Sequence, residues 1–256
     1  MKEQYSYITM IERSSSIIEE LYKSPVPLGI SEMSKKLELP KATIYRILIT
    51  LIKSGFVEKD EKNDKYKLGT IYIKYADKVK SQIEIHNICE PYMEELAKII
   101  GETVNLAVSR ENSALNLKRV EGEATALVSK LIAIAPYYCS SVGKILLSYK
   151  NDEEIEEYFK EIEIKKRTIK TLESYKDFLK ERKDILKNKY AIDDEEYDYG
   201  LYCVACPIFN SKREVIAAVG FSGPKSRIEY KGKEKLIEKL IQYTKIINEK
   251  IKTIGI

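Results

Sequence analysis

Apolar residues recur at helical spacing in two segments near the start of the chain. The first predicted helix runs from Ser6 to Lys23 and ends at the proline-containing stretch 24–27. A short second helix is predicted from Glu32 to Leu37, with Ser31 as its N-cap residue. A tight turn that ends at Pro40 follows it. The apolar face of the first helix is predicted to consist of Ile8, Ile11, Ile18 and Leu21.

A third helix, predicted over 41–53, is amphipathic. Its apolar stripe is predicted to face a core, and Gly55 is expected to end it in a left-handed conformation. The stripe consists of Ile44, Ile47, Leu48 and Leu51. The opposite side carries donors and cations suited to phosphate oxygens and base edges. From this helix, the residues predicted to contact DNA are Lys41, Ala42, Thr43, Tyr45 and Arg46.

Two short strands, 56–59 and 65–68, flank a polar tip and predict a β-hairpin. A short helix, a tight turn and a second helix with a polar outer face form the layout that seats a recognition helix in the major groove, and the hairpin is its wing. Ordinary bundle packing remains the alternative for the helix pair taken alone. The wing lysines predicted to reach the DNA backbone are Lys59, Lys62 and Lys65.

The rest of the chain mixes helices and strands. A connecting helix is predicted over 71–84, and a second helix is expected to begin at Pro91 and end at Gly101. Strands are predicted over 103–108, 114–120, 201–209 and 215–221, and helices over 141–149, 153–160, 174–188 and 233–251. This pattern favours an α/β sheet domain over a sandwich. Ser140 is predicted to cap the helix that begins near Ser141, where free N–H groups attract an anion such as a carboxylate.

Charge and composition restrict the partners and the compartment. Residues 1–80 carry 15 Lys and Arg against 11 Asp and Glu, whereas residues 81–256 carry 29 of each. The whole excess of +4 therefore lies in the first segment, which predicts a polyanion-binding N-terminal region. No run approaches the ~18 apolar residues that span a bilayer, the first ten residues lack a signal-peptide pattern, and the four cysteines suit a reducing compartment. A cytoplasmic location is predicted.

Short sequence blocks carry a family resemblance along nearly the whole chain. The first part contains Arg13, PKATIYRIL at 40–48, Leu51, GFV at 55–57 and YKLG at 66–69. The second part contains GETVNLA at 101–107, GK at 143–144, IDDEE at 192–196, GLYCVACP at 200–207 and SGP at 222–224. In this order, the blocks resemble the IclR family of bacterial transcription regulators.

The resemblance implies an α+β architecture with three parts. These are a winged helix-turn-helix at 1–69, a linker helix at 70–89 that mediates dimerisation, and a GAF-like α/β domain at 90–256 that binds a small effector. It also implies a homodimer or a dimer of dimers, most often a repressor of operator DNA, without cofactor or metal. By matching position, the effector-binding residues implied are Ser141, Val142, Asp193, Leu201, Cys203 and Ser222.

Two short motifs match other chemistry. Cys203 and Cys206 form C-x-x-C, but residues three apart in a strand point to opposite faces and a second ligand pair is missing, so no zinc or dithiol site is predicted. The S-x-x-K pattern at 141–144 occurs in penicillin-recognising enzymes, but its partner motifs S-D-N and K-T-G are absent. The acidic run 193–196 also fits a plain surface turn.

The leading hypothesis is a sequence-specific DNA-binding regulator whose operator affinity changes when a small effector, of carboxylate type, binds. A ligand-binding module without a specific operator is the second hypothesis. An enzyme of unrecognised type is the third.

Overall fold

The computed structural model of the chain describes residues 8–60, 63–82, 84–122 and 133–255. The chain forms two compact units, Met1–Gln82 and Ile83–Ile256. Each unit has a hydrophobic core of its own. Within the described ranges, no helix combines the length and the apolar character needed to cross a membrane.

The first unit has the predicted order of helices and hairpin. The two strands pair antiparallel, and Leu28 adds a bridge to Tyr66 beside them. All four residues of the predicted α3 stripe are buried in the core. The elements are α1 (Thr9–Lys23), α2 (Ile30–Leu37), α3 (Lys41–Lys53), β1 (Val57–Asp60), β2 (Lys65–Leu68) and α4 (Ile71–Gln82).

The predicted apolar face of α1 is wrong at its first turn. Ile8 and Ile11 are 67% and 66% exposed, whereas Ile17 and Leu21 are buried. Ile17 and Leu21 lie four residues apart and share a face toward α2 and α3. The first turn of α1 therefore lies outside the core, and its isoleucines face outward.

The start of α2 also differs from the prediction. The helix begins at Ile30 rather than Glu32, with Gly29 as its N-cap residue. Gly29 N–H donates to Glu32 Oε2 at 2.6 Å, so the carboxylate satisfies a backbone donor at the helix start. The hydroxyl of Ser31 was predicted to have the capping role.

As far as the structure describes it, the second unit is built on an antiparallel sheet of six strands with helices on both faces. The spatial strand order is β5-β4-β3-β8-β7-β6. The strands are β3 (Thr103–Arg110), β4 (Ser113–Val120), β5 (Ile134–Pro136), β6 (Ala191–Asp194), β7 (Leu201–Phe209) and β8 (Val215–Pro224). The helices are α5 (Glu84–Ile100), α6 (Ser141–Ser148), α7 (Asp152–Glu161), α8 (Tyr175–Asn188), α9 (Lys225–Lys231) and α10 (Lys233–Ile254).

The two sheet faces bury different helices. Val204 and Cys206 of β7 face the core that contains α5 and α10. Ala205, between them in sequence, faces the core that contains α6, α7 and α8. This alternation confirms the α+β fold class. It also places α6 directly over the central strands, where the effector site was predicted.

Pro91 lies inside α5 and does not begin it. A proline within a helix removes one backbone hydrogen bond, so such a helix needs support from packing. Here Cys89, Met93, Leu96 and Ala97 are almost completely buried against the sheet. The packing of this face overrides the local preference for a helix start at proline.

A glycine substitution tests the junction between the wing and α3. Gly69 N–H donates to Phe56 O at 2.9 Å, and a Cβ atom on Gly69 would lie 2.0 Å from the carbonyl oxygen of Gly55. Gly69→Ala is expected to lower the free energy of unfolding of the first unit by about 2 to 3 kcal/mol, because two backbone segments must separate. Urea unfolding of the full chain measures this.

Gly29→Ala is the matched control, since the nearest atom to its added Cβ lies at 3.4 Å. Gly29→Ala is expected to lower the free energy of unfolding by at most about 1 kcal/mol, because residue 29 is only the N-cap residue of α2. Equal losses in the two variants would contradict the close approach at Gly69.

Candidate DNA interface and effector site

The outer face of α3 carries the helix residues that were predicted to contact DNA. Lys41, Ala42 and Arg46 are exposed, Tyr45 is 51% exposed, and Thr43 is half-buried. Arg46 makes no ion pair with any residue in the described ranges. Its guanidinium is therefore free to meet an external acceptor.

Two of the three predicted wing lysines have carboxylate partners, which no local sequence pattern indicates. Lys59 Nζ lies 2.6 Å from Asp64 Oδ1, and Lys65 Nζ lies 3.5 Å from Glu32 Oε1. The hydrogen bond and charge of Asp64 raise the pKa of Lys59. Lys62 lies outside the described residues. The positive potential of the wing is therefore weaker than its lysine count indicates.

Three predicted effector residues lie side by side across the sheet. Asp193 of β6 pairs with Cys203 of β7, and Cys203 pairs with Ser222 of β8. Residues opposite one another in adjacent strands point to the same face. Thr103 of β3 extends the row, since it pairs with Ser222. All four are buried, and Thr103 was missed because a threonine at the start of a strand has no distinctive signal. Leu201 lies two residues before Cys203, on the same face of β7.

Cys203 and Cys206 lie on opposite faces of β7, as predicted from the period of a strand. Burial raises the pKa of the Cys203 thiol well above its usual range, and its immediate neighbours are Asp193 and Ser222. The thiol is therefore neutral, and it forms a small, weakly polar surface between Asp193 and Ser222. No group of residues in the described ranges is arranged to hold a metal ion.

The first turn of α6 is buried beside this row. Ser140 caps the helix as predicted, because its Oγ accepts a hydrogen bond from Gly143 N at 3.2 Å. Ser141 and Val142 are each 4% exposed. A helix leaves its first N–H groups without intrahelical partners, so those of Ser141 and Val142 are available to a ligand oxygen.

Gly143 is required where α6 approaches the preceding chain. A Cβ atom there would lie 2.5 Å from Pro136 O and 2.6 Å from Tyr137 Cα. Gly143 thus allows the close backbone approach, and Lys144 directly after it supplies a buried cation.

Lys144 is completely buried and bridges two carboxylates. Its Nζ lies 2.5 Å from both Glu181 Oε1 and Glu196 Oε1. Burial, the largest single effect, lowers the pKa of Lys144, but Glu196 and Glu181 together outweigh it, so the pKa is raised. The ammonium therefore stays charged and joins α6, α8 and the turn after β6. Sequence reasoning predicted no role for Lys144 or Glu181.

Asp193 orders the turn that follows it. Its Oδ1 accepts hydrogen bonds from Glu196 N at 2.8 Å and from Tyr197 N at 3.2 Å. Burial raises the pKa of Asp193 to about 6, although Lys144 and these hydrogen bonds act in the opposite direction. The acidic run thus comprises the end of β6 and a structured, partly buried turn, which differs from the plain surface turn considered as an alternative.

The segment after α7 holds this turn from outside. Thr168 Oγ1 donates to Glu195 O at 2.6 Å, and Thr171 Oγ1 donates to Glu196 O at 2.8 Å. Glu195 Oε2 also lies 3.0 Å from Lys170 Nζ and 2.8 Å from Lys225 Nζ. Mainly through these lysines, the pKa of Glu195 falls to about 2.

Two family models match the chain. Residues 77–249 match the C-terminal domain of the bacterial transcriptional regulator IclR, and residues 10–61 match the IclR helix-turn-helix domain. The first match alone covers more than half of the chain. The chain therefore belongs to the IclR family, whose members are DNA-binding transcriptional regulators and not enzymes.

Individual relatives agree with this assignment. The HTH-type transcriptional repressor AllR of Escherichia coli is 28% identical over 85% of this chain and 81% of its own length. The crystal structure of Thermotoga maritima IclR is 27% identical and has a TM-score of 0.73, covering 96% of this chain and 100% of that one. An IclR homologue from Microbacterium hydrocarbonoxydans, crystallised with 4-hydroxybenzoate, is 20% identical with a TM-score of 0.80, covering 95% and 99%.

The ion pair at the tip of the wing can be tested by releasing Lys59. Asp64 has a φ of 53°, a conformation that asparagine tolerates well, so Asp64→Asn preserves the turn while it removes the negative charge. The variant is expected to bind duplex DNA more tightly. In a plot of log Kd against the logarithm of the salt concentration, its slope should be steeper by about 0.9, which is the value for one additional phosphate contact.

Fluorescence anisotropy with a labelled duplex over a salt series measures this slope. Glu12→Gln is the control, because it removes the same charge from an exposed position of α1 in the same unit. An unchanged slope for Asp64→Asn would show that Lys59 does not approach the DNA backbone.

Proposed function

We propose that this chain is a repressor that binds an operator through the outer face of α3 and loses operator affinity when a small carboxylate binds beside α6. The observation that carries the proposal is a pairing of two features in one chain. An exposed arginine without an ion-pair partner lies on the recognition helix, and a buried polar row lies under a helix N-terminus.

The DNA part of the proposal rests on side-chain chemistry. The guanidinium of Arg46 has the planar fork that donates two hydrogen bonds to a guanine edge. Lys41 in the first turn of α3 and the exposed Tyr45 suit contacts to phosphate oxygens. We assign contacts with DNA bases to Arg46 and Thr43, and contacts with the sugar-phosphate backbone of the DNA to the other interface residues. The latter are Lys41, Ala42, Tyr45, Lys59, Lys62 and Lys65.

The effector part rests on the first turn of α6 and the row beneath it. The N–H groups of Ser141 and Val142 suit a carboxylate oxygen. The row of Asp193, Cys203 and Ser222 suits the polar remainder of a small molecule, with Leu201 at its apolar edge. Two relatives support the finer description, since AllR is named as a repressor and the Microbacterium homologue was crystallised with 4-hydroxybenzoate, a carboxylate.

The proposed assembly is a homodimer or a dimer of dimers. A dimer presents two recognition helices, and an operator with two half-sites about one helical turn apart matches this arrangement. We retain the boundaries 1–69 for DNA binding, 70–89 for the linker helix and 90–256 for effector binding as part of the proposal.

A ligand-binding module without a specific operator is the competing function. A gel shift with DNA from upstream of the gene, run against excess unrelated DNA, separates the two. Binding that is independent of sequence at every salt concentration would reject the specific regulator.

The recognition helix is tested by Arg46→Ala. Loss of a bidentate base contact is expected to weaken operator binding by about 1 to 3 kcal/mol and to relax specificity at one base position. Gel shifts with single-base operator variants measure both effects. Lys187→Ala removes the same charge from an exposed position of α8 and is expected to bind like the wild type. If Arg46→Ala discriminates among the single-base operator variants as strongly as the wild type does, this arginine contacts no base.

The effector site is tested by a matched cysteine pair. Cys203→Val changes the wall of the row, whereas Cys206→Val makes the same change on the opposite face of β7. A thermal-shift screen of small carboxylates is expected to find ligands that raise Tm, since binding to the folded state stabilises it by about 2.7 kcal/mol at 100 times Kd.

The shift is expected to shrink in Cys203→Val and to persist in Cys206→Val, while both variants bind DNA without ligand. A shift that survives in Cys203→Val but is lost in Cys206→Val would place the ligand on the other face of the sheet.

A further inference from the structure

One buried carboxylate oxygen beside the proposed effector site has no partner. Glu196 is 8% exposed, and its Oε1 lies 2.5 Å from Lys144 Nζ. Its Oε2 is buried and makes no hydrogen bond within the described ranges. A buried polar atom without a partner is costly, so this oxygen is explained best by a group that the protein alone does not supply.

The charges around Glu196 do not balance. Among the described residues, Lys144 is the one ammonium in contact with it. Two carboxylates, Glu181 and Glu196, contact that cation, and a third, Asp193, senses its charge. Glu181 of α8 shares Lys144 with Glu196, and Asp193 of β6 accepts a hydrogen bond from the backbone of Glu196. The exposed guanidinium of Arg167 lies over the neighbouring Tyr197 ring, but it forms no ion pair with these acids in the described ranges. With all three acids ionised, the carboxylates would outnumber the one buried ammonium, which is strongly unfavourable.

A proton on Glu196 relieves this imbalance. Burial, followed by repulsion from Glu181 and Asp193, raises the pKa of Glu196 to about 8, although Lys144 acts in the opposite direction. The thiols that also face the cluster, Cys139 before α6 and Cys203 of β7, stay neutral because burial raises the pKa of each. Near neutral pH the carboxyl group of Glu196 therefore carries a proton and accepts a hydrogen bond from Lys144 through Oε1, while Glu181 is the ion-pair partner of Lys144.

We propose that Glu196 is a further effector-recognition residue, whose protonated carboxyl group donates a hydrogen bond from Oε2 to the carboxylate of the effector. This inference rests on the proposed function. It resolves an electrostatic conflict in that function, because an anion would otherwise bind beside ionised carboxylates and a lysine that is already engaged. A neutral acid supplies a donor there in place of a repelling charge.

The fold places Glu196 near the first turn of α6. Side chains of a helix lean toward its N-terminus, so the Lys144 ammonium lies on the side of Ser141. Glu196 contacts that ammonium directly. The other acids of the turn are unsuited to the role, since Asp193 Oδ1 already accepts two backbone hydrogen bonds and Glu195 is ionised between Lys170 and Lys225.

The test compares binding across pH in the full-length protein. Isothermal titration uses 4-hydroxybenzoate and benzoate as probes from about pH 6.5 to about pH 9. The wild-type Kd is expected to rise toward tenfold per pH unit above the pKa of Glu196, as the donor is lost. Glu196→Gln is expected to bind with a flat profile, because its amide donates a hydrogen bond at every pH.

Glu195→Gln is the matched control. It makes the same substitution one residue earlier, at an acid whose pKa of about 2 keeps it ionised throughout the range. The control is expected to keep the wild-type pH profile. A flat wild-type profile, or a Glu196→Gln profile that still falls with rising pH, would overturn the proposal.

A ligand-free measurement decides the protonation of Glu196 independently. An acid whose pKa is raised by folding stabilises the folded state at low pH, and this contribution is lost as the pH rises through the folded pKa. Urea unfolding from about pH 6 to about pH 9 is expected to show a loss of stability in the wild type that is smaller in Glu196→Gln. Equal slopes would show that Glu196 is ionised, and the proposal would fall.

The two arms separate this proposal from the function on which it rests. If the ligand-free slopes differ but neither probe nor any screened carboxylate binds at any pH, the carboxylate class of effector and the Glu196 contact are both wrong, while the DNA-binding role is unaffected. If carboxylates bind with pH-independent affinity, only the Glu196 contact is wrong.

Discussion

The buried ammonium of Lys144 is the interaction on which the sensor unit depends. It holds α6, α8 and the turn after β6 together, with both Nζ–Oε1 distances at 2.5 Å. Removing one partner from a buried ion pair costs about 3 to 5 kcal/mol, because the remaining charge is left uncompensated. The cluster ties α6 to the turn after β6, whereas the row of Asp193, Cys203 and Ser222 is aligned by the pairing of β6, β7 and β8.

The two units distribute charge in opposite ways. In the first unit, Arg46 is exposed and unpaired, whereas Lys59 and Lys65 of the wing have carboxylate partners. In the second unit, the buried Lys144 is shared by Glu181 and Glu196. Exposed, unpaired cations suit a polyanion such as DNA, and a buried cluster of acids around one ammonium suits a single small ligand. This difference is the physical basis for assigning DNA binding to one unit and sensing to the other.

The sequence predicts the elements that have a clear period or cap. The α3 stripe, the left-handed Gly55 and the Ser140 cap are confirmed. Prediction failed where tertiary packing overrides local signals, as at Pro91 inside α5, and at the short strands β5 and β6. The Lys144 cluster joins residues 52 positions apart, so no local pattern contains it.

The claim that a ligand bound beside α6 is sensed through this row is tested most directly by hydrogen–deuterium exchange. The full chain is compared with and without a carboxylate that the thermal-shift screen identifies. Slower exchange is predicted in residues 141–148 and in the turn and strand from 193 to 203. Protection confined to other segments, with these two unchanged, would contradict the account.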